Sequence, residues 1–204
     1  NNLGQSPVIL EEILSGKHEF SKVLKDAKKP LIIVGYGALT RPDGEAILSA
    51  ASKVAEKFGV VKDGWNGFGI LHKAASCVGG LELGFVPQKN GKDVAGILAA
   101  VEKGEIEVVY LLGADEIDTE KLSKAFVIYQ GHHGDAGAHV ADVVLPGAAY
   151  TEKDATYINL EGRAQRTRIA VFPPGQAKED WLIISELAKE LGETIAAKNL
   201  SELR

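Results

Sequence analysis

Short apolar runs alternate with segments of helical periodicity through most of this chain. Leu31-Ile32-Ile33-Val34, Val108-Val109-Tyr110-Leu111-Leu112, Phe126-Val127-Ile128-Tyr129 and Val143-Val144-Leu145 are too short for helices and read as buried strands. Between them, Ile47, Ala51, Val54, Ala55 and Phe58 recur at helical spacing, as do Val94, Ile97, Leu98 and Val101. Asp43 and Asp93 stand where N-caps belong. Val60-Val61 reads as the start of another strand. Ile70, Leu71, Ala74, Ala75 and Val78 read as a short helix, and residues 117–125 as another. Strand–helix alternation of this kind predicts an α/β fold: a mostly parallel sheet, right-handed crossovers and helices on both faces.

The pattern changes at both ends. Ile9, Ile13 and Leu14, then Phe20, Val23 and Leu24, predict one or two short helices that stop before Pro30. Near the C-terminus, Thr156, Ile158 and Leu160 alternate, as do Thr167, Ile169 and Val171, around a turn at Glu161-Gly162-Arg163. This period of two predicts a β-hairpin. Trp181, Ile184, Ala188 and Leu191 then form one helical stripe ended by Gly192. The expected organisation is a peripheral segment (residues 1–29), an α/β domain (30–150), a hairpin and helix packed on it (151–192) and a tail (193–204).

Composition narrows the function. The chain has 204 residues, 45% hydrophobic and 25% charged, which is a globular profile. A net charge of −5 argues against binding a nucleic-acid backbone. No apolar run approaches the roughly 20 residues of a membrane-spanning helix, so no direct membrane insertion is expected. One cysteine, Cys77, supports neither a disulfide framework nor an iron–sulfur cluster held by this chain alone. It reads as an inert thiol in an apolar stretch. With no methionine, the sequence is read as a piece of a longer chain.

Three stretches could carry chemistry. Gly35-Tyr36-Gly37 follows a strand as a dinucleotide-binding turn would, but Thr40 stands at the third glycine position and Arg41-Pro42 intervenes before the helix. A tight strand-to-helix turn is the better reading. Gln130-Gly131-His132-His133-Gly134-Asp135-Ala136-Gly137-Ala138-His139 follows a strand end, where open α/β sheets place ligands. Its histidines lack a metal-site spacing, so a loop bonded through its imidazoles is expected. Asp115, Glu116 and Asp118 cluster after another strand. They could face Mg²⁺, but helix capping explains them more simply.

Ala141-Asp142-Val143-Val144-Leu145-Pro146-Gly147, Glu152, and Thr156-Tyr157-Ile158-Asn159-Leu160-Glu161-Gly162-Arg163-Ala164-Gln165 resemble the signature of the molybdopterin oxidoreductase superfamily. Tyr129-Gln130-Gly131-His132-His133-Gly134-Asp135, Trp65-Asn66, Leu71-His72-Lys73, Pro173-Pro174-Gly175 and Glu179-Asp180-Trp181 narrow the resemblance. They are similar to the C-terminal part of the large peripheral-arm subunit, the G subunit, of respiratory complex I. That resemblance implies a component of NADH-to-quinone electron transfer coupled to proton translocation. It places the iron–sulfur clusters in an N-terminal part absent from this sequence. Its partners would be the rest of that subunit and other peripheral-arm subunits. Its location would be the cytoplasmic face of a bacterial inner membrane or the matrix side of the mitochondrial one.

This stretch is expected to be a scaffold without catalytic, cofactor-binding or metal residues of its own. Catalytic relatives carry Gly-Asn-Pro where this chain has Gly113-Ala114-Asp115-Glu116, and Gly-Thr where it has Ala155-Thr156. Acidic side chains there would repel a pyrophosphate-bearing pterin. The polar groups of the strand-end edge are therefore expected to bond one another, water or a partner subunit. Asn159, Glu161, Arg163 and Gln165 surround one hairpin turn, and Arg163 is expected to pair with Glu152 or Glu161. The alternatives are a molybdopterin-type cofactor-binding domain or a nucleotide-binding Rossmann-like module.

Overall fold

The computed structural model describes residues 2–204, and the chain packs as two compact units. Of the described residues, the first comprises 2–84 and 157–165, the second 85–156 and 166–204. The boundary at Gly84 and Phe85 falls inside the stretch expected to be one domain.

The first unit opens with α1 (Val8–Ser15) and α2 (Phe20–Asp26). Residues expected to be peripheral belong to its core here. Ile13 and Leu24 are buried with Val54, and Ile9, Phe20, Ile32 and Phe58 pack around them. Strand β1 (Ile32–Gly35) passes at once into α3 (Tyr36–Leu39), so the Gly35-Tyr36-Gly37 stretch is the tight strand-to-helix turn expected. Helix α4 (Gly44–Lys57) buries Ile47, Ala51, Val54 and Ala55 along one stripe. Asp43 precedes it without capping it. Its carboxylate takes Arg41 Nε and Nη2 at 2.7 and 3.0 Å instead, and this hydrogen-bonded pairing holds the Asp43 carboxyl below its usual range.

The Val60-Val61 run does not enter the parallel sheet. Strand β2 (Val61–Lys62) pairs antiparallel with β3 (Trp65–Asn66) as a short ribbon. The parallel partner of β1 is β4 (Phe68–Leu71), where a helix was expected; helix begins only at α5 (Cys77–Glu82). Gly67 allows this close approach. A Cβ there would lie 2.2 Å from Pro30 O, and Gly67 O accepts the Ile32 N–H at 2.8 Å, which opens the ladder.

The second unit opens with α6 (Val94–Glu102), whose N-cap is Asp93 as expected: its Oδ1 accepts the Gly96 N–H at 2.8 Å. Strands β5 (Val108–Leu112), β6 (Phe126–Gly131) and β7 (Val143–Pro146) form one parallel sheet in that order. The helix expected between β5 and β6 is a single 3₁₀ turn, Thr119–Leu122. The histidine-rich stretch contains a helix, α7 (Ala136–Val140). Leu98, Val101, Val109, Leu111, Leu122, Val127 and Tyr129 form the buried core.

The hairpin pairs β8 (Thr156–Ile158) with β9 (Ala164–Arg166). Residues 167–171 are not strand; Thr167, Ala170 and Val171 donate backbone bonds to Ala155 and Thr151 instead. Helix α8 (Asp180–Glu190) and the short α9 (Leu200–Leu203) complete the chain. The expected α/β class, with parallel sheets, helices and a C-terminal hairpin and helix, is the one observed. Its parallel strands are shared between two separate sheets.

Candidate functional site

The carboxyl ends of β5, β6 and β7 lie level in the second unit: Leu112 pairs with Gln130, Gln130 with Leu145, and Gly131 with Pro146. Gln130 is fully buried there. A buried amide needs partners for both its ends, and both are supplied. Its Oε1 accepts the Tyr110 hydroxyl from β5, and its Nε2 donates to Asp180 Oδ1 at 2.9 Å. Asp180 opens α8, where the helix dipole favours a negative charge. Its second oxygen takes the ammonium of Lys153. The result is one continuous chain of bonds, Tyr110–Gln130–Asp180–Lys153. Burial, and then the charge of Asp180, raise the Tyr110 hydroxyl above the usual tyrosine range.

Neighbouring acids are also engaged. Glu179 accepts the Trp181 Nε1–H at 2.6 Å and the Asp154 N–H at 3.3 Å, and Glu152 accepts the Ala149 N–H at 2.9 Å. At the opposite, amino end of the sheet, Asp142 accepts the Val127 N–H at 2.7 Å.

The Tyr129 ring, part of the buried core, lies against Gly131 and Gly137. A Cβ on Gly131 or Gly137 would come within 2.3 and 2.7 Å of it, so both positions require glycine. Burial, then Asp115 and Asp135, raise the Tyr129 hydroxyl above its usual range. Asp115 lies beside α7, its Cβ 3.1 Å from where a Cβ on Gly137 would stand, and Asp135 immediately precedes that helix. Asp118 does not act as a side-chain cap; it faces Lys121 at 3.8 Å. His132, His133 and His139 are exposed, with the first two rings 4.2 Å apart. Among the described residues no group of three or more His, Cys, Asp or Glu side chains is placed to hold a metal ion.

The candidates of the first unit lie elsewhere. Tyr36 meets His72 at 6.3 Å between ring centroids and Lys73 at 5.5 Å, and Cys77 is half-buried at the start of α5. A cavity of about 300 Å³ is walled by Ile70, Val78, Ile158 and Leu160, with His72 and Asn159 among its polar groups. The hairpin turn corrects one expectation. Arg163 is exposed and forms no ion pair with Glu152 or Glu161. Asn159 holds the turn instead, its Oδ1 accepting the Glu161 and Arg163 N–H groups at 3.0 and 2.9 Å. A side-chain amide can close its own turn in this way, leaving the arginine in water.

Sequence reasoning singled out neither Tyr110 nor Lys153 as site residues. The usable signal was polarity inside apolar strands: Tyr110 within Val-Val-Tyr-Leu-Leu, and Gln130 closing Phe-Val-Ile-Tyr-Gln.

A parallel sheet with its strand ends packed by polar side chains defines a class, and the sequence places the chain within it. The profile of the molybdopterin oxidoreductase family matches residues 1–190, and the chain belongs to that family. It is similar over its whole length to the G subunit of NADH-quinone oxidoreductase from Rickettsia felis, with 49% identity over 203 residues, and from Rickettsia typhi, with 48% over 204. The chain spans 28% of each relative's length. Among solved structures, acetylene hydratase from Pelobacter acetylenicus aligns with a TM-score of 0.42 at 22% identity, over 48% of this chain and 15% of that one.

Proposed function

We propose that the chain is a structural part of the large peripheral-arm component of an NADH–quinone oxidoreductase, contributing shape and contacts rather than a redox centre. The relationship to complex I rests on similarity along the whole of this chain to a part, 28%, of the two rickettsial proteins. The structural role rests on one observation: the carboxyl ends of the three parallel strands, the end at which open α/β sheets receive ligands, carry the chain's own bonded side chains, with Gln130 fully buried at their centre. A cofactor entering there would have to displace Tyr129 and break the Gln130–Asp180 bond, and would meet Asp115 and Asp135. On this reading the iron–sulfur clusters belong to other parts of the parent polypeptide, and the partners are that remainder and neighbouring peripheral-arm subunits. The location is the cytoplasmic or matrix face of the membrane that carries the complex. No helix among the described residues is long and apolar enough to cross a membrane.

The test of assignment is co-purification. Affinity-tagged parent polypeptide, isolated from detergent-solubilised membranes, is expected to carry NADH–quinone reductase activity with it. Recovery of that activity wholly in the unbound fraction would contradict the assignment.

A further inference from the structure

Between Glu161 and Glu179 the chain has no aspartate or glutamate, yet it carries Arg163, Arg166, Arg168 and Lys178. The whole protein has a net charge of −5, so this stretch is locally of the opposite sign. In the second unit, Lys178 is neutralised by Glu186 at 2.7 Å. Arg166 and Arg168 are exposed and have no ion pair among the described residues. Asp154 is bound to main chain instead, its Oδ1 accepting the Ile169 N–H at 2.6 Å. The apolar residues that follow are exposed too: Ile169 by 40%, Val171 by 55% and Phe172 by 89%. A phenylalanine has one of the largest apolar surfaces to bury, and Phe172 buries almost none of it.

The backbone beneath these side chains is nonetheless fixed. The Thr167 N–H donates to Ala155 O at 2.9 Å, and the Ala170 and Val171 N–H groups donate to Thr151 O at 2.9 and 3.3 Å. Thr167 Oγ1 accepts the Ala155 N–H at 3.0 Å. Pro173 and Pro174 restrict φ just after Phe172, and the Ala177 N–H closes a turn on Pro174 O at 3.0 Å. Side chains held out on an ordered backbone bind with less entropy left to lose.

Charge says what fits. An exposed aromatic beside unpaired guanidinium groups has the composition of a protein–protein interface, where aromatic residues and arginine are enriched. Its complement is an apolar pocket rimmed by carboxylates. A second copy meeting it across a two-fold axis would set the patch against itself, arginines facing arginines.

We propose that Arg166, Arg168 and Phe172 form a docking surface for a different polypeptide, one that offers an apolar pocket rimmed by aspartate or glutamate. The Phe172 ring enters the pocket and the two guanidinium groups take the carboxylates at its edge. The inference deepens the functional reading above and rests on it only in requiring that the parent polypeptide works as a subunit.

The test uses affinity-tagged parent polypeptide isolated from detergent-solubilised membranes. With p-benzoylphenylalanine in place of Phe172, irradiation is expected to capture one other polypeptide, through a peptide that contains Asp or Glu. Phe172→Ala and Arg168→Glu are each expected to reduce retention of that polypeptide more than about tenfold. Replacing the captured peptide's carboxylate with lysine is expected to restore retention by Arg168→Glu. Both variants should keep the parent's melting temperature within about 2 °C, since exposed side chains carry little stability. No capture, capture of the parent itself or of a second copy, wild-type retention by either variant, failure of the reversed charge to rescue, or a melting temperature that falls with retention would overturn the proposal. If the captured polypeptide is retained as expected while NADH–quinone reductase activity stays unbound, the assignment to that complex fails and the docking surface stands.

Discussion

Gln130 closes a strand otherwise built from Phe126, Val127, Ile128, Tyr129 and Gly131, and its amide is satisfied at both ends by side chains from β5 and α8. Replacing it with leucine removes the acceptor of the Tyr110 hydroxyl and the donor to Asp180 together. A buried polar group left without its partner costs about 1–3 kcal/mol. Gln130→Leu is therefore expected to lower the melting temperature by several degrees, at about 2–4 °C per kcal/mol for a chain of this size. An unchanged melt would show that the network is not held as described. Tyr129 gives a signed pH effect. Burial first, then Asp115 and Asp135, disfavour its phenolate in the folded state. The unfolded chain therefore releases this proton first, near the ordinary tyrosine pKa of about 10. The contribution is fully present below that pH and is lost as pH rises through the higher folded-state value. Denaturant titrations above about pH 10 are expected to show a shallower decline for Tyr129→Phe than for wild type. Part of the decline persists in the variant, because Tyr110 is shifted in the same direction.

At the scale of elements, the hairpin separates two residues that the sequence made look alike. Asn159 closes its own turn through two backbone donors, whereas Arg163 stands in water without an ion pair. Asn159→Ala is expected to cost about 1 kcal/mol, and Arg163→Ala to stay within about 0.5 kcal/mol of wild type, as read from thermal melts of both variants. The reverse order would restore a buried role for Arg163. The same contrast explains what could be read in advance. Helix α6 was legible because Asp93 and the stripe of Leu98 and Val101 agree, and β5, β6 and β7 because apolar runs of their length have few other uses. Strand β4 was not legible. Ile70 and Leu71 fit a helix with Ala74 and Ala75 as well as they fit a strand, and the deciding feature is the close approach of Gly67 to Pro30, a contact distant in sequence. Asp43 misled for a local reason: its position predicts a cap, but neighbouring Arg41 takes both carboxylate oxygens.

For the whole molecule, alternation along the chain predicted the α/β class but could not assign the strands to two sheets, since pairing is settled by contacts far apart in sequence. The strand-end edge was legible in part. Asp115 lies there beside Gly137, but the side chains bonded to or beside Gln130 come from Tyr110, Lys153 and Asp180, on a strand, a loop and a helix. The central claim is that this edge is occupied by the protein itself and is structural. Isothermal titration of the chain with GDP, NADH and NADPH tests it most directly. The account predicts no binding tighter than about 1 mM, roughly −4 kcal/mol. A micromolar dissociation constant for any of the three would contradict it.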